Sequence, residues 1–317
     1  MKSLLAALPL AVACMAAPAR AQNQAAQDRS PDFAARAVAL YAEQPDIENC
    51  RPGRLKPEIR TTLTARVNEV RALHGLAPVT YNTATEDTAT AAAMVFAANG
   101  SLSHYPGSWW RCFTEDASTG ARLSNIFGGA SERLMFISMD EMVTGWMTDV
   151  RHMNPGSIGH RRWLLDPFLA TISFGRVAGI LPDGRRTDGA ALRIIGSNRV
   201  VPEPIEGGFI AYPFGDYPAR FWDPGALLSF AVLVDLRDKA ASAEVDYAQA
   251  QVSVRQRGGA AVEVGRVSFD NNAYGLSNSL QFAAEGLQPG VTYEVGIRNV
   301  RVQGQSRDFA YAFRITP

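Results

Sequence analysis

The chain has 317 residues, and its 31 basic side chains balance its 31 acidic ones, so no net field draws it toward nucleic acid or an anionic membrane surface. Hydrophobic residues make up 47% of it, which suits one large or two medium soluble domains with ordinary cores. The apolar run near the N-terminus is too short for a bilayer-spanning helix, and no later segment looks membrane-spanning.

The N-terminus reads as a secretory signal. Lys2 precedes an apolar run from Leu4 to Ala17, and Ala19-Arg20-Ala21 predicts cleavage after Ala21, giving residues 1–21 as signal peptide and a periplasmic or secreted protein. The alternative is a lipoprotein acylated on Cys14, which follows Leu10-Ala11-Val12-Ala13. In either case Cys50 and Cys112 are the later cysteines, and in an oxidising compartment they are expected to pair.

Residues 22–48, rich in Ala, Gln and Asp, read as a linker with some nascent helix. Pro57 then opens an amphipathic helix carrying Ile59, Leu63, Val67 and Val70 and ending near His74-Gly75. Thr83-Ala84-Thr85-Glu86 predicts the start of an alanine-rich helix that stops at Asn99-Gly100. A third helix is expected from Ser131 to Asp149, and a short one from His160 to Leu165, closed by Asp166-Pro167. The period then changes: 171–180 and 190–195 read as a hairpin turning at Pro182-Asp183-Gly184. Helices followed by an antiparallel pair predict an α+β domain over 49–198. After the Val201-Pro202-Glu203-Pro204 linker, alternating segments at 228–234, 251–255, 262–269, 292–300 and 309–315 predict an all-β sandwich over 205–317, immunoglobulin-like or fibronectin-like.

Four histidines occur, and two sit in distinctive phrases: Leu102-Ser103-His104-Tyr105-Pro106 and Gly159-His160-Arg161-Arg162. Together with Arg66 to Asn82, Asn99-Gly100-Ser101-Leu102-Ser103-His104, Ser124-Asn125-Ile126 and Trp146-Met147-Thr148-Asp149, taken in that order, they resemble the CAP superfamily, the group of cysteine-rich secretory proteins, antigen 5 and pathogenesis-related class 1 proteins. The resemblance runs from about Cys50 to Ser197 and is nearest to bacterial secreted members. It implies a CAP-like α-β-α sandwich and a cleft in which many members place two histidines and two acidic residues, some around a divalent metal.

Carried over by position, the cleft residues are His104, Ser124, Asp149 and His160. Ser124 stands where the family usually has Glu and cannot supply negative charge; Asp149 replaces a longer Glu. The remaining candidates for a metal such as zinc are His104, His160 and Asp149. His74 reads as a packing residue and His152 as exposed without a role; Arg161 and Arg162 read as structural, solvated or paired with Asp149 or Asp166, and Trp109, Trp110, Trp146 and Trp163 as core or cleft wall, with Trp109-Trp110 facing an apolar ligand beside a cleft loop as the alternative. The resemblance implies an extracytoplasmic binding or interaction module, rather than an enzyme, for sterols, fatty acids, other lipids or cell-envelope components. Two other readings stay open: a metal-assisted hydrolase or protease, and a structural envelope protein with a vestigial cleft.

Overall fold

A computed structural model describes residues 32–152, 154, 156–196 and 199–317. The expected signal peptide, the Cys14 alternative and the domain boundary at Ser197 lie outside the described residues. Helix α1 (Phe33–Ala39) and a ribbon of β1 (Tyr41–Glu43) with β2 (Arg54–Leu55) come first. Phe33, Ala37 and Leu40 are buried, and Tyr41 Oη accepts from Ala178 N at 2.7 Å. The described part of 22–48 is therefore docked structure and not the expected linker: three apolar residues at helical spacing give it a face to bury.

Helix α2 (Pro57–Ala72) begins with its proline and buries Leu63, Val67 and Val70. After β3 (Thr80–Tyr81) and a 3-10 turn capped by Asn82, α3 (Glu86–Asn99) ends at Gly100, whose φ of 59° is the left-handed cap that glycine adopts without cost. Helix α4 (Glu115–Arg122), strand β4 (Ser124–Ser131), helix α5 (Met139–Thr148), helix α6 (Gly159–Leu164), and strands β5 (Thr171–Ile180) and β6 (Arg186–Arg193) complete this half. The helix expected from Ser131 is shorter. A capping box of Ser138 with Glu141 fixes its start, while Ser131 ends strand β4, paired along β6, and the residues between form a turn and loop. Leu134 and Ile137, which carried the helical period, reach the core from the intervening loop.

The sheet order is β3-β5-β6-β4, with α3 and α4 on one face and α2 and α5 on the other. Helix α3 is alanine-rich because it lies almost on the strands: a Cβ at Gly175 would stand 2.3 Å from the Thr90 backbone nitrogen, and one at Gly189 2.5 Å from the Ala93 carbonyl oxygen. This is the α-β-α sandwich that the resemblance implied.

The second half contains β7 (Phe209–Tyr212), β8 (Gly215–Pro218), β9 (Leu228–Val232), β10 (Val245–Asp246), β11 (Gln251–Gln256), β12 (Ala261–Val262), β13 (Val264–Asp270), β14 (Ser279–Ala284), β15 (Thr292–Val302) and β16 (Gln305–Thr316). One sheet runs β13-β14-β9-β7; the other runs β12-β11-β15-β16-β8, with β10 also on β15. Strands β7 and β14 escaped the alternating pattern because they are buried almost throughout, so no polar face marks their period. Apolar residues of both halves form one continuous core, in which Leu164 and Leu165 join Tyr212, Phe221 and Leu276.

Candidate functional site

Strand β4 is an edge strand, and the candidate site gathers around its first residues and the α5–α6 corner. Asp149 follows α5 in the left-handed conformation (φ 55°), which a short polar side chain tolerates better than most. This turn aims its carboxylate at the start of α6. Asp149 Oδ1 lies 2.7 Å from His160 Nδ1, and Oδ2 accepts from the Arg161 backbone N–H at 3.1 Å. The carboxylate can only accept, so the proton sits on His160 Nδ1 and the Nε2 lone pair is left bare. Both residues of this pair are largely withdrawn from solvent.

His152, read from sequence as exposed and idle, is half-buried beside this pair, its ring centroid 4.8 Å from that of His160. It arrives there because the loop between α5 and α6 folds back, with His152 N donating to Asp149 O. His152 Nδ1 accepts from the Asn154 backbone N–H at 3.0 Å, so the neutral ring carries its proton on Nε2. Burial, and then the neighbouring His160, push its pKa below the ordinary histidine value. Its only sequence signal was its closeness to Asp149.

The remaining expected corners behave differently. His104 Nδ1 donates to Ala121 O at 2.8 Å, which leaves the neutral ring's Nε2 without a hydrogen-bond partner among the described residues. Ser124 is paired with Arg193 across β4 and β6, and Arg193 reaches Thr88 of α3, so Ser124 belongs to the α3 face of the sheet. Its buried hydroxyl has no hydrogen-bond partner among the described residues. The next residue, Asn125, takes the opposite face and donates from Nδ2 to His160 O at 3.0 Å. Asn125, rather than Ser124, is thus the β4 residue bonded to α6.

Asp149, His152 and His160 each offer a ligand atom within 4.8 Å of the others, a spacing that a divalent cation spans. Asp149 Oδ1 faces His160 Nδ1 and Oδ2 accepts from the Arg161 N–H, so its first task is to orient an imidazole whose Nε2 stays available as a ligand atom. His152, with Nδ1 accepting from Asn154, would have to give up its Nε2 proton to join a metal there. What the corner and the His104 loop present is two bare imidazole nitrogens, which accept, and one N–H, which donates.

The His104 loop is firmly tied. Cys50 and Cys112 are bonded, 62 residues apart, and Asn99 clamps Arg111 from both sides, Nδ2 to Arg111 O at 3.0 Å and Oδ1 from Arg111 N at 3.1 Å. Yet this loop displays Tyr105 at 78% and Trp109 at 84% exposure. Trp109 is therefore not a core residue, whereas Trp146 is in the core and Trp110 packs partly buried against the α3–β4 cluster. A Cβ at Gly107 would meet three consecutive carbons of the Trp109 ring at 2.4–2.5 Å. Near-equal distances of that size place it over the ring's face, so the indole lies flat on the Gly107 backbone with its other face outward.

His74 is buried and its Nε2 lies 3.3 Å from Tyr217 Oη, a packing role as expected. Arg161 and Arg162 are not solvated and their side chains pair with neither Asp149 nor Asp166; both guanidinium groups enter the strand half, and Asp166 pairs instead with Lys239 at 2.5 Å.

No curated protein matches the chain. Similar solved structures include an outer surface protein from Borrelia burgdorferi, at 15% identity and TM-score 0.28 over 45% of this chain and 95% of that one. Another is MpPR-1i, at 10% identity and TM-score 0.31 over 48% and 95%. A third is an extracellular protein containing a SCP domain from Bacillus anthracis str. Ames, at 18% identity and TM-score 0.26 over 44% and 45%. Residues 64–179 match the family model described as the cysteine-rich secretory protein family, CAP. With the α-β-α sandwich and the ordered histidine phrases found in that same segment, residues 64–179 of this chain are a CAP domain.

Proposed function

We propose that this protein is an exported binding module whose CAP domain takes an amphipathic ligand with a hydroxyl-bearing head and an apolar face, of the kind a sterol or other hydroxylated lipid provides. The observation that carries the reading is the juxtaposition, on one rigid loop, of His104 with its bare Nε2 and the outward-facing rings of Tyr105 and Trp109. Exposed aromatic faces are costly to leave bare in a soluble protein and are used to cover apolar partners. Imidazole acceptors beside them suit a hydroxyl proton. The disulfide and the absence, among the described residues, of any helix long and apolar enough to cross a membrane accord with an extracytoplasmic setting.

A serine hydrolase needs its nucleophile within reach of its base, and the Ser124 hydroxyl is bonded to no histidine among the described residues. The test is quenching of tryptophan fluorescence by detergent-dispersed cholesterol, with palmitate and a soluble disaccharide as comparison probes. Saturable quenching by the sterol that falls at least tenfold in affinity in His104→Ala supports the reading. Equal, non-saturable responses to all three probes would sink it. Zinc titration of the same protein, read by calorimetry, addresses the metal-hydrolase alternative, for which tight one-to-one binding is required.

A further inference from the structure

We infer that Arg161 is a positioning residue through which the C-terminal β-sandwich builds and holds the histidine corner of the CAP domain. This rests on the binding reading only in making that corner part of a site; the geometry stands by itself.

Four observations converge on Arg161, three of them on its guanidinium. Arg161 Nε donates to Met147 O at 2.5 Å and Nη2 to Thr148 O at 3.0 Å, so a cation closes the last free carbonyls of α5, immediately before Asp149 turns left-handed. Its Nη1 donates to Leu227 O at 2.7 Å and Ser229 Oγ at 3.1 Å, both from the sandwich. The guanidinium carbon stands 3.8 Å from the centre of the Tyr212 ring on β7. Meanwhile the backbone N–H of the same residue holds Asp149 Oδ2. One residue therefore grips the Asp149 carboxylate with its backbone, fixes the helix end that aims that carboxylate with its side chain, and is itself anchored in the other half of the molecule.

The loop bearing His152 is pinned by the same half. Gln281 Nε2 donates to Gly156 O at 2.6 Å, and Ile158 packs with Leu227 and Ala283. A buried guanidinium is tolerable only when its donors are met, and here the acceptors come from both sides of the seam. Arg162 supplies the internal contrast. It too enters the sandwich, with Nη1 to Asp270 Oδ2 and Nη2 to Leu276 O, both at 2.8 Å, but no bond of its side chain touches α5 or Asp149. Arg162 fastens the halves; Arg161 fastens them through the site.

The test reads the hydrogen-bonded Nδ1 proton of His160 by NMR on the full mature chain with 15N-labelled histidine, the signal being assigned by its loss in His160→Gln. In the wild-type protein this proton is expected well downfield and in slow exchange with solvent. Arg161→Lys keeps the charge and loses the planar fork; with the fold intact by circular dichroism, the signal is expected to vanish or exchange at least tenfold faster. Arg162→Met is expected to lower the melting temperature and leave the signal in place. A wild-type signal in folded Arg161→Lys, or its loss in Arg162→Met as well, overturns the proposal. Should Arg161→Lys fail to fold, Ser229→Ala removes one sandwich acceptor of the same guanidinium: several-fold faster exchange supports the inference and an unchanged rate overturns it. No ligand enters this measurement, so failure of the sterol reading would leave its outcome intact.

Discussion

The two sides of the candidate site are held by opposite means. The His104 side is local and covalent: a disulfide, an Asn99 clamp and a ring lying on Gly107 fix a loop that shows its aromatic faces to water. The His160 side is remote and electrostatic, with a buried carboxylate aimed by a buried arginine whose acceptors lie partly in another sheet layer. The difference separates their sensitivities. The first side should respond to reduction and to changes of one loop, the second to anything that loosens the seam between the halves.

The largest expected effect is on the second side. Arg161→Ala would leave the carbonyls of Met147, Thr148 and Leu227 without their buried donor and remove the cation from the Tyr212 ring, a loss of about 3–5 kcal/mol. Chemical denaturation of wild type and variant measures it; a cost below about 1 kcal/mol would mean that water replaces the guanidinium and that the seam is not tightly closed.

Reduction addresses the first side. In the chain-entropy picture, opening the bridge between Cys50 and Cys112 costs about 2–4 kcal/mol. The sharper expectation is selective: Cys50→Ala with Cys112→Ala should weaken sterol binding through the His104 loop yet leave the His160 Nδ1 proton in slow exchange. Loss of both together would show that the two sides form one cooperative unit.

Acid probes the seam again. Burial holds His74 at a pKa of about 3, against an ordinary value near 6.5, so the unfolded chain takes up the proton first. Stability from this residue is therefore complete above about pH 6.5 and falls as the pH drops toward 3, by about 2 kcal/mol at pH 5. His74→Phe, which cannot bind a proton, should flatten that part of the pH–stability curve. An unchanged slope would assign acid sensitivity elsewhere, with His152 the next candidate because its pKa is shifted in the same direction.

This asymmetry also decides what could be read from the sequence. The His104 side was legible because its signals are local: a His-Tyr-Pro phrase, a glycine where α3 must end, and two cysteines expected to pair. Strands β5 and β6, with their Asp-Gly turn, announced themselves in the same way. The His160 side was legible only in part. Asp149 and His160 stood in recognisable phrases, but His152 acquires its place from a loop that folds back against the sandwich, and nothing in its neighbours' residue types says so. Ser124 was assigned to the cleft by position, yet strand alternation, visible only once the β4–β6 register is known, gives the His160 face to Asn125. Arg161 read as structural but its partners stayed hidden, because its acceptors are mostly backbone carbonyls, which carry no sequence signature.

The smallest effect on stability, and the most direct on binding, belongs to Trp109. A side chain 84% exposed contributes little to the core, so Trp109→Ala should change stability by less than about 0.5 kcal/mol. If its outer face covers the apolar part of a ligand, the same variant should weaken sterol binding tenfold or more. Gly107→Ala separates the ring's presence from its placement. A Cβ there would lie 2.4–2.5 Å from the indole carbons, so the ring must leave the backbone on which it rests while remaining in the molecule. Comparable losses of affinity in Gly107→Ala and Trp109→Ala would mean that the loop works as a preformed platform, with the ordering cost met before the ligand arrives. Loss in Trp109→Ala alone would mean that any exposed indole near His104 suffices, and that the rigidity of this side serves the fold more than the ligand.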